Sequence, residues 1–544
     1  MSNQEPSPES PNSDSDSDSN EQNSAPIRGV RWRFPIAIAL IAAIAQAGVF
    51  AAADDDLSVI NGLSMVIWIL VGLVVAAWFL IFSGAQRSAR LVAAGLMILA
   101  PVTLLSLFRM DGQTGDFVPR FVFRFAPSAE DRAADYFGSE FGGTLVDAAA
   151  TDSQLQVTDD DWPRFGGANE DLIVRGVTIR KDWSDNPPRA LWRHPVGPAW
   201  SSFAVVGNQA FTQEQRGQEE AVVCYDIESG EQRWVHTDPV RFEETASGVG
   251  PRATPTIFDS RLYALGATGI LNCLNPITGA VLWTTNIVDD AETDLIMYGM
   301  SGSPLVHDDL VIVTPSGNGG AVAAYDRVTG QKRWSGGSHK QSYASPTIAT
   351  IESVPQVLIY CDEGLCAHDI TNGEMLWLFE WTNVTGLNLA QPIVLPDQSL
   401  FISSGYGSGS ARLDITKEGD RWQVDSRWET PNRFKLKFNG GILRDGFLYG
   451  LDEGILSCID LIDGQRQWKK GRYRYGQMLM VGDQLLILTE QGQVVLVDVT
   501  PSEANEIAKF QAIEGKTWNH PVLNRGRLLV RNGREAACYD LRPD

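Results

Sequence analysis

Cysteine and histidine are the side chains of this protein best suited to redox, nucleophilic or soft-metal chemistry, and the chain has six of each. No two cysteines stand in a C-x-x-C spacing, which excludes zinc ribbons, thioredoxin-like redox sites and haem c attachment. Cys224, Cys273, Cys458 and Cys538 all lie two residues before the same repeated Asp or Asn, which reads as small packing residues on equivalent strands. Cys361 and Cys366 differ: they flank Asp362-Glu-Gly-Leu365 in a predicted hairpin. An oxidising compartment leaves a disulfide open there, subject to strict geometry. His194, His236, His307, His339, His368 and His520 fall in separate repeats without metal-ligand spacing, so no metal site is expected. Ser316-Gly-Asn-Gly-Gly320 and Ser403-Ser-Gly-Tyr-Gly-Ser-Gly409 lie between strands rather than before a helix, and read as hairpin turns. A serine-hydrolase elbow, a Walker loop and a nucleotide fingerprint are all missing from the sequence.

The remaining candidates share one face of the repeats described next. Residues just before the first strand of successive repeats are Arg252, Met300, Tyr343, Asn388, Lys437, Tyr475 and Trp518. Hairpin loops on that face add Glu214, Asp362, Glu363, Asp452, Glu453 and Glu490. Acids, bases and aromatics converging on a concave centre can hold a small ligand, a cofactor or a peptide. Arg252, Lys437 and Trp518 are the candidate binding residues, and no catalytic residue is assigned. If exposed, their loss shifts stability by only about ±0.5 kcal/mol. A wet mouth without a dedicated ligand is the competing reading.

The elements that position these residues follow from a repeat. Asp226-Ile-Glu-Ser-Gly-Glu-Gln-Arg-Trp234 returns in kind at Asn275 to Trp283, Asp326 to Trp334, Asp369 to Trp377 and Asp460 to Trp468, with degenerate copies from Asp414, Asp498 and Asp540. The copies begin 38 to 51 residues apart, the pitch of a four-stranded propeller blade. Asp or Asn closes a turn on the backbone, Gly accepts positive φ, and Trp offers a large apolar face to the neighbouring blade. Upstream of the motifs sit Pro-marked strands such as Ala253-Thr-Pro-Thr-Ile257 and Gly302-Ser-Pro-Leu-Val306. The eighth copy ends at Asp544 without a Trp strand, and Ala190-Leu-Trp-Arg-His194 is available to complete it and close the ring. The expectation is an all-β, eight-bladed propeller, with seven blades as the alternative count. In the copy from Asp414, Trp422 and Trp428 both qualify as the docking residue.

The N-terminal part is different. Residues 1–27 hold six acids and no Lys or Arg, and read as a disordered acidic tail. Within residues 28–108 lie three uncharged apolar runs, 34–53, 57–82 and 91–108, of 20, 26 and 18 residues. About 20 apolar residues cross ~30 Å of hydrocarbon, so three transmembrane helices are expected. Arg28, Arg31 and Arg33 precede the first run, and Arg87 and Arg90 separate the second from the third. Positive charge marks those sides as cytoplasmic and sends everything after residue 108 outside. A signal-peptidase site at Val49-Phe-Ala-Ala-Ala53 is the rival for the first run, and it leaves the side of the C-terminal part unchanged. Residues 109–160 read as a linker and 161–544 as the propeller. The net charge of -23 excludes non-specific nucleic-acid binding.

The D-x-x-T-G-x-x-x-W pattern, with the opening Asp161-Trp-Pro-Arg-Phe-Gly-Gly167, resembles the PQQ-like repeat family of quinoprotein-type propellers. That resemblance implies a membrane-anchored bacterial member, with the propeller on the periplasmic side of the inner membrane. The family hosts dehydrogenases that bind pyrroloquinoline quinone and calcium, and non-catalytic members that help assemble outer-membrane proteins. The quinone-binding members carry a disulfide between adjacent cysteines, and this chain has no Cys-Cys pair. Two functions therefore stand: a membrane-tethered scaffold for a protein or cell-surface polymer, and a quinone-dependent oxidoreductase in which Trp518 or Tyr343 stacks on the cofactor.

Overall fold

The apolar runs form three helices, α1 (Arg33–Ala52), α2 (Leu57–Ile81) and α3 (Arg87–Leu107). All three are long and apolar enough to cross a membrane. Ile44, Leu73 and Leu91 are exposed, as expected of side chains whose solvent is lipid. Gln46 donates to Ser64 Oγ at 2.6 Å, a polar link between the first two helices. The third helix begins at Arg87, earlier than its apolar run, and Phe108 opens a strand instead of ending the helix. The computed structural model describes residues 32–53, 56–138, 155–183, 186–383, 385–431 and 433–543, so the acidic tail 1–27 lies outside the described residues.

The chain divides into two units, the helical one and a second made of Ala53–Gly62 and Leu105–Asp544. The stretch read as a linker starts this second unit with ordered elements. Strands β1 (Phe108–Gln113) and β2 (Pro119–Phe123) pair antiparallel. Helix α4 (Ala129–Phe137) follows, started by a capping box in which Ser128 Oγ accepts from Asp131 N and Asp131 accepts from Ser128 N. Neither element shows a long hydrophobic period; each is held by docking, as with Glu130 against Arg241 at 3.0 Å and Phe137 beneath the Arg216 guanidinium.

Eight sheets of consecutive antiparallel strands make the propeller. Seven are built from runs of four strands in sequence order, from Ala204–Val206 through Gln232–Asp238 in the first blade to Gln477–Val481 through Ala504–Gln511 in the seventh. The short β3 (Ile173–Val174) adds in parallel to the seventh. The eighth consists of Val522–Asn524, Arg527–Arg531 and Glu535–Asp540, completed by β4 (Arg189–Pro195). Trp192 pairs with Cys538, so the early segment closes the ring as expected.

The repeated Trp and Gly turn out to be partners across blades. Trp192, Trp234, Trp283 and Trp334 donate Nε1–H to the backbone carbonyls of Ile227, Pro276, Arg327 and Ile370, at 2.9, 2.9, 3.1 and 2.9 Å. Each acceptor belongs to the motif turn of the next blade. The Gly of that turn lies flat beneath the indole. A Cβ on Gly230, Gly279, Gly330 or Gly373 would approach Trp192, Trp234, Trp283 or Trp334 to 2.6, 2.6, 2.7 or 2.5 Å, at φ of 75, 72, 73 and 77°. Glycine is thus required twice at one position, for its backbone and for its bare face. Opposite the Trp on the same blade stands a small residue: Cys224, Cys273, Cys458 and Cys538 in four blades, Ala324 and Ala367 in two. All four cysteines are fully buried, in agreement with a packing role. The pairing slips by a bulge beside these positions, which bends the outer strand onto its neighbour.

Where the motif decays, the interaction moves. The fifth blade replaces the tight turn by a long hairpin of Gly409–Glu418 and Arg421–Thr430. With no turn carbonyl to reach, Trp377 bonds Gln356 of its own blade at 2.8 Å. Trp428, not Trp422, takes the docking position, donating to the Leu461 carbonyl at 3.0 Å.

At the axis, the residue before each Pro links blades. Backbone N–H groups of Ser202, Thr254, Ser303 and Ser345 donate to the side chains of Thr254, Ser303, Ser345 and Gln391, at 3.1, 3.0, 2.9 and 2.8 Å. Phe203 follows Ser202, whereas Pro255, Pro304, Pro346 and Pro392 follow the other four residues and have no N–H to leave unpaired on an edge facing the channel.

Trp283→Ala is expected to cost roughly 3–5 kcal/mol, and Gly330→Ala roughly 1–3 kcal/mol from overpacking and strain. In the Trp283→Ala background the Gly330→Ala cost should fall by at least about 1 kcal/mol. A double-mutant cycle by chemical denaturation checks this; additive costs would mean that the two residues do not meet.

Candidate functional site

The inner strands enclose a cavity of about 760 Å³. Thr254, Ser303, Pro304, Ser345, Pro346 and Gln391 of the inter-blade belt line it. Its aromatic wall is Trp200, Tyr298, Tyr343, Tyr406, Phe438 and Trp518. Of the mouth residues singled out from sequence, Arg252, Tyr343 and Trp518 reach this cavity.

Trp518 donates Nε1–H to Glu490 Oε1 at 2.8 Å and packs against Trp200 and Phe438, with ring centroids 4.9 and 5.0 Å away. Lys516 sits over both indoles, 4.1 Å from Trp518 and 4.8 Å from Trp200. Burial brings the Lys516 ammonium down to about 8. Arg252 stacks on Phe242 at 4.4 Å and donates to Ser247 Oγ at 2.7 Å and the Gly248 carbonyl at 3.2 Å. Burial, opposed by Glu244 and Glu220, brings it down to about 10. Tyr343 donates to Gln341 at 3.1 Å and lies 5.7 Å from the Tyr298 ring.

Lys437 does not behave as an exposed mouth residue. It is 2% exposed. Its Nζ meets Glu453 at 2.8 Å, Tyr475 Oη at 2.9 Å, Ser58 Oγ at 2.8 Å and Asp56 at 3.6 Å. An ammonium has three donors, and these partners engage them all. The small stability effect expected of an exposed residue therefore does not apply to it: Lys437 neutralises a buried acid pair. Of the hairpin acids, Glu214, Asp452, Glu453 and Glu490 are likewise internal, whereas Asp362 is half-buried and Glu363 exposed. Glu214 accepts from Tyr225 Oη at 2.7 Å and Gly197 N at 2.9 Å, and Asp452 accepts from Phe434 N and Lys435 N at 3.2 and 3.1 Å.

Sequence reasoning missed what fills the mouth. The β1–β2 turn enters it: Gly115 N donates to Glu490 Oε1 at 2.7 Å, Lys516 Nζ donates to the Gln113 carbonyl at 3.1 Å, and Asp116 and Asp111 pair with Arg474 and Arg534 at 2.5 Å each. A Cβ on Gly115 would stand 2.1 Å from the Tyr475 ring, so only glycine fits. Asp111-Gly-Gln-Thr-Gly-Asp116 does carry turn chemistry, the one signal that could have revealed it.

The fit of a quinone with calcium is tested by these walls. The aromatic faces suit a planar ring. The carboxylates on the cavity wall, Glu170 and Asp171, are already paired with Arg164 at 3.1 Å and Arg175 at 2.5 Å. Among the described residues the one group of three His, Cys, Asp or Glu side chains within metal range is His339, Cys361 and Cys366, a poor donor set for a hard oxygen-seeking cation. The calcium half of that pair does not fit.

Replacing Lys437 by Met leaves Asp56 and Glu453 buried without their cation. The expected loss is roughly 3–5 kcal/mol of unfolding free energy, measured by denaturant titration; a loss below about 1 kcal/mol would mean that water reaches the pair.

Residues 218–470 match a family model described as Outer membrane protein assembly factor BamB. Sequence comparison with curated proteins gives no match. Among solved structures, the quinohemoprotein alcohol dehydrogenase from Comamonas testosteroni is 13% identical, with a TM-score of 0.50 over 76% of this chain and 85% of its own. Alcohol dehydrogenase ADHIIG from Pseudomonas putida HK5 is 12% identical, with a TM-score of 0.50 over 73% of this chain and 84% of its own. BamB from Moraxella catarrhalis is 16% identical, with a TM-score of 0.46 over 65% of this chain and 99% of its own. At such identities the likeness is one of fold. The repeated turn-and-Trp motif, the eight blades and the family match over residues 218–470 are together consistent with the PQQ-like repeat β-propellers that the sequence resembles.

Proposed function

We propose that this protein is a membrane-tethered binding scaffold, with three spans holding a periplasmic propeller whose channel takes up a weakly charged segment of a protein or cell-surface polymer. The observation that carries this reading is the character of the cavity. Trp200, Tyr298, Tyr406, Phe438 and Trp518 offer faces and edges for stacking, while the carboxylates on the wall are each held by an arginine. Such a wall suits an uncharged or aromatic segment better than a cation–quinone pair.

The three-span topology draws support from the Lys437–Asp56 contact. Asp56 follows the first helix and Lys437 lies in the propeller, so the two must be on one side of the membrane. The second and third helices therefore both cross or neither does, so with the first helix crossing the count is one or three. The arginine placement then selects the periplasmic side.

Two measurements test the proposal. Alkaline phosphatase fused after Asp160 is expected to be active; an inactive fusion, with a cytoplasmic reporter active at the same point, overturns the topology. For the site, full-length protein in detergent is incubated with pyrroloquinoline quinone and calcium and then desalted. It is expected to retain no quinone absorbance, while a photo-crosslinker at Tyr298 or Tyr406 captures a discrete partner in cells. Stoichiometric quinone retention with dye-linked dehydrogenase activity establishes the oxidoreductase instead.

A further inference from the structure

Between the third and fourth blades the apolar packing is interrupted by four side chains of another kind. Cys361 and Cys366 project from the same face of one hairpin, because Ile359 pairs with Cys366 and Cys361 N donates to the Gly364 carbonyl at 2.8 Å. His368 follows on that face two residues on, with Nε2 3.6 Å from Cys366 Sγ. His339 arrives from the other blade, in the loop after its Lys332–Gly336 strand. The ligand atoms of His339, Cys361 and Cys366 all lie within 4.8 Å of one another. Both thiols are free, so the disulfide left open by the sequence is not formed.

Two details prepare the imidazoles for a ligand role. His368 Nδ1 is engaged by the Gly373 carbonyl at 2.9 Å, which leaves the Nε2 lone pair facing the sulfur. His339 is 3% exposed, and its Nε2 has no hydrogen-bond partner among the described residues although the Ala321 backbone engages the ring. A buried nitrogen left unsatisfied costs roughly 1–3 kcal/mol unless something binds it.

We propose that His339, Cys361, Cys366 and His368 form a zinc site that staples the third blade to the fourth. Two thiolates and two imidazoles are the tetrahedral S₂N₂ set that selects zinc. Bonds of about 2.0–2.3 Å place tetrahedral ligand atoms roughly 3.3–3.8 Å apart, so the atoms of His339, Cys361 and Cys366 need to draw in by about an ångström. His368, already beside Cys366 but with its ring centroid 6.3 Å from that of His339, has to close further on the others. Binding displaces the two thiol protons to solvent and changes no oxidation state. With four protein ligands the site is closed and therefore structural rather than catalytic. Spacing in the sequence concealed it, since His339 is far from the cysteines along the chain and adjacent only across the blade boundary.

The test uses the full chain in detergent, reduced, stripped with chelator and reloaded with Zn²⁺ or Co²⁺. Wild type is expected to retain one equivalent of zinc after desalting, to show thiolate-to-cobalt charge-transfer and intense tetrahedral d–d bands, and to unfold at higher temperature with zinc than with chelator. Cys361→Ser with Cys366→Ser should abolish retention, and His339→Gln should weaken binding at least tenfold. Because His339 lies in a loop, its variant keeps the test informative if the double cysteine variant does not fold. No zinc on reduced wild type, unchanged binding by the His339→Gln variant, or a Cys361–Cys366 disulfide in protein isolated without reductant would each overturn the site.

Discussion

An indole laid over a glycine is the contact on which this propeller depends. A propeller has no central core: the channel occupies the axis, and the apolar layers lie between blades, so every blade is stable only through its neighbours. Trp192, Trp234, Trp283 and Trp334 each place a broad apolar face on the next blade's turn and give their N–H to its carbonyl. The turn must be bare to receive the ring. That requirement and the left-handed backbone select glycine at the same residue, which is why Trp and Gly recur together.

The contact also fixes what happens at the axis. Blades held at a constant tilt bring their first strands together, and those strands carry free edges that no further strand can cover. The chain answers with Pro on the edge and with Ser, Thr or Gln bridging to the backbone of the adjacent blade. Polar groups thereby converge, and the protein's own early segments meet them. Asp56 pairs with Lys437 and Ser58 accepts a hydrogen bond from it, and the turn around Gly115 meets Glu490, Lys516 and Arg474. What is left open is an aromatic cavity rather than an ionic one, and its binding character follows from that subtraction.

The zinc cluster sits in the same layer as the Trp contacts. Trp334 already ties the third blade to Ile370 of the fourth, and the His339 and Cys361 groups lie in that interface. One blade later Trp377 has lost its cross-blade acceptor. Reinforcement at the preceding interface strengthens the ring beside its most irregular blade.

By itself the sequence determined the architecture. A motif repeated at blade pitch, an orphan Trp strand at the start and three uncharged apolar runs are local or periodic signals, and local physics is enough to interpret them: turn chemistry, side-chain size and hydrocarbon thickness. The convergence of Arg252, Tyr343 and Trp518 was legible because equivalent positions of a closed ring must face one axis. Tertiary structure decided everything that depends on contacts between distant segments. Lys437 looked exposed because its partners, Asp56 and Ser58, lie almost four hundred residues away in the chain. The segment after the third helix looked like a linker because its strands gain their order from docking, not from hydrophobic period. His339 looked ordinary because metal-ligand spacing is a one-dimensional test, whereas a site between blades is assembled from two hairpins that meet only when the ring closes.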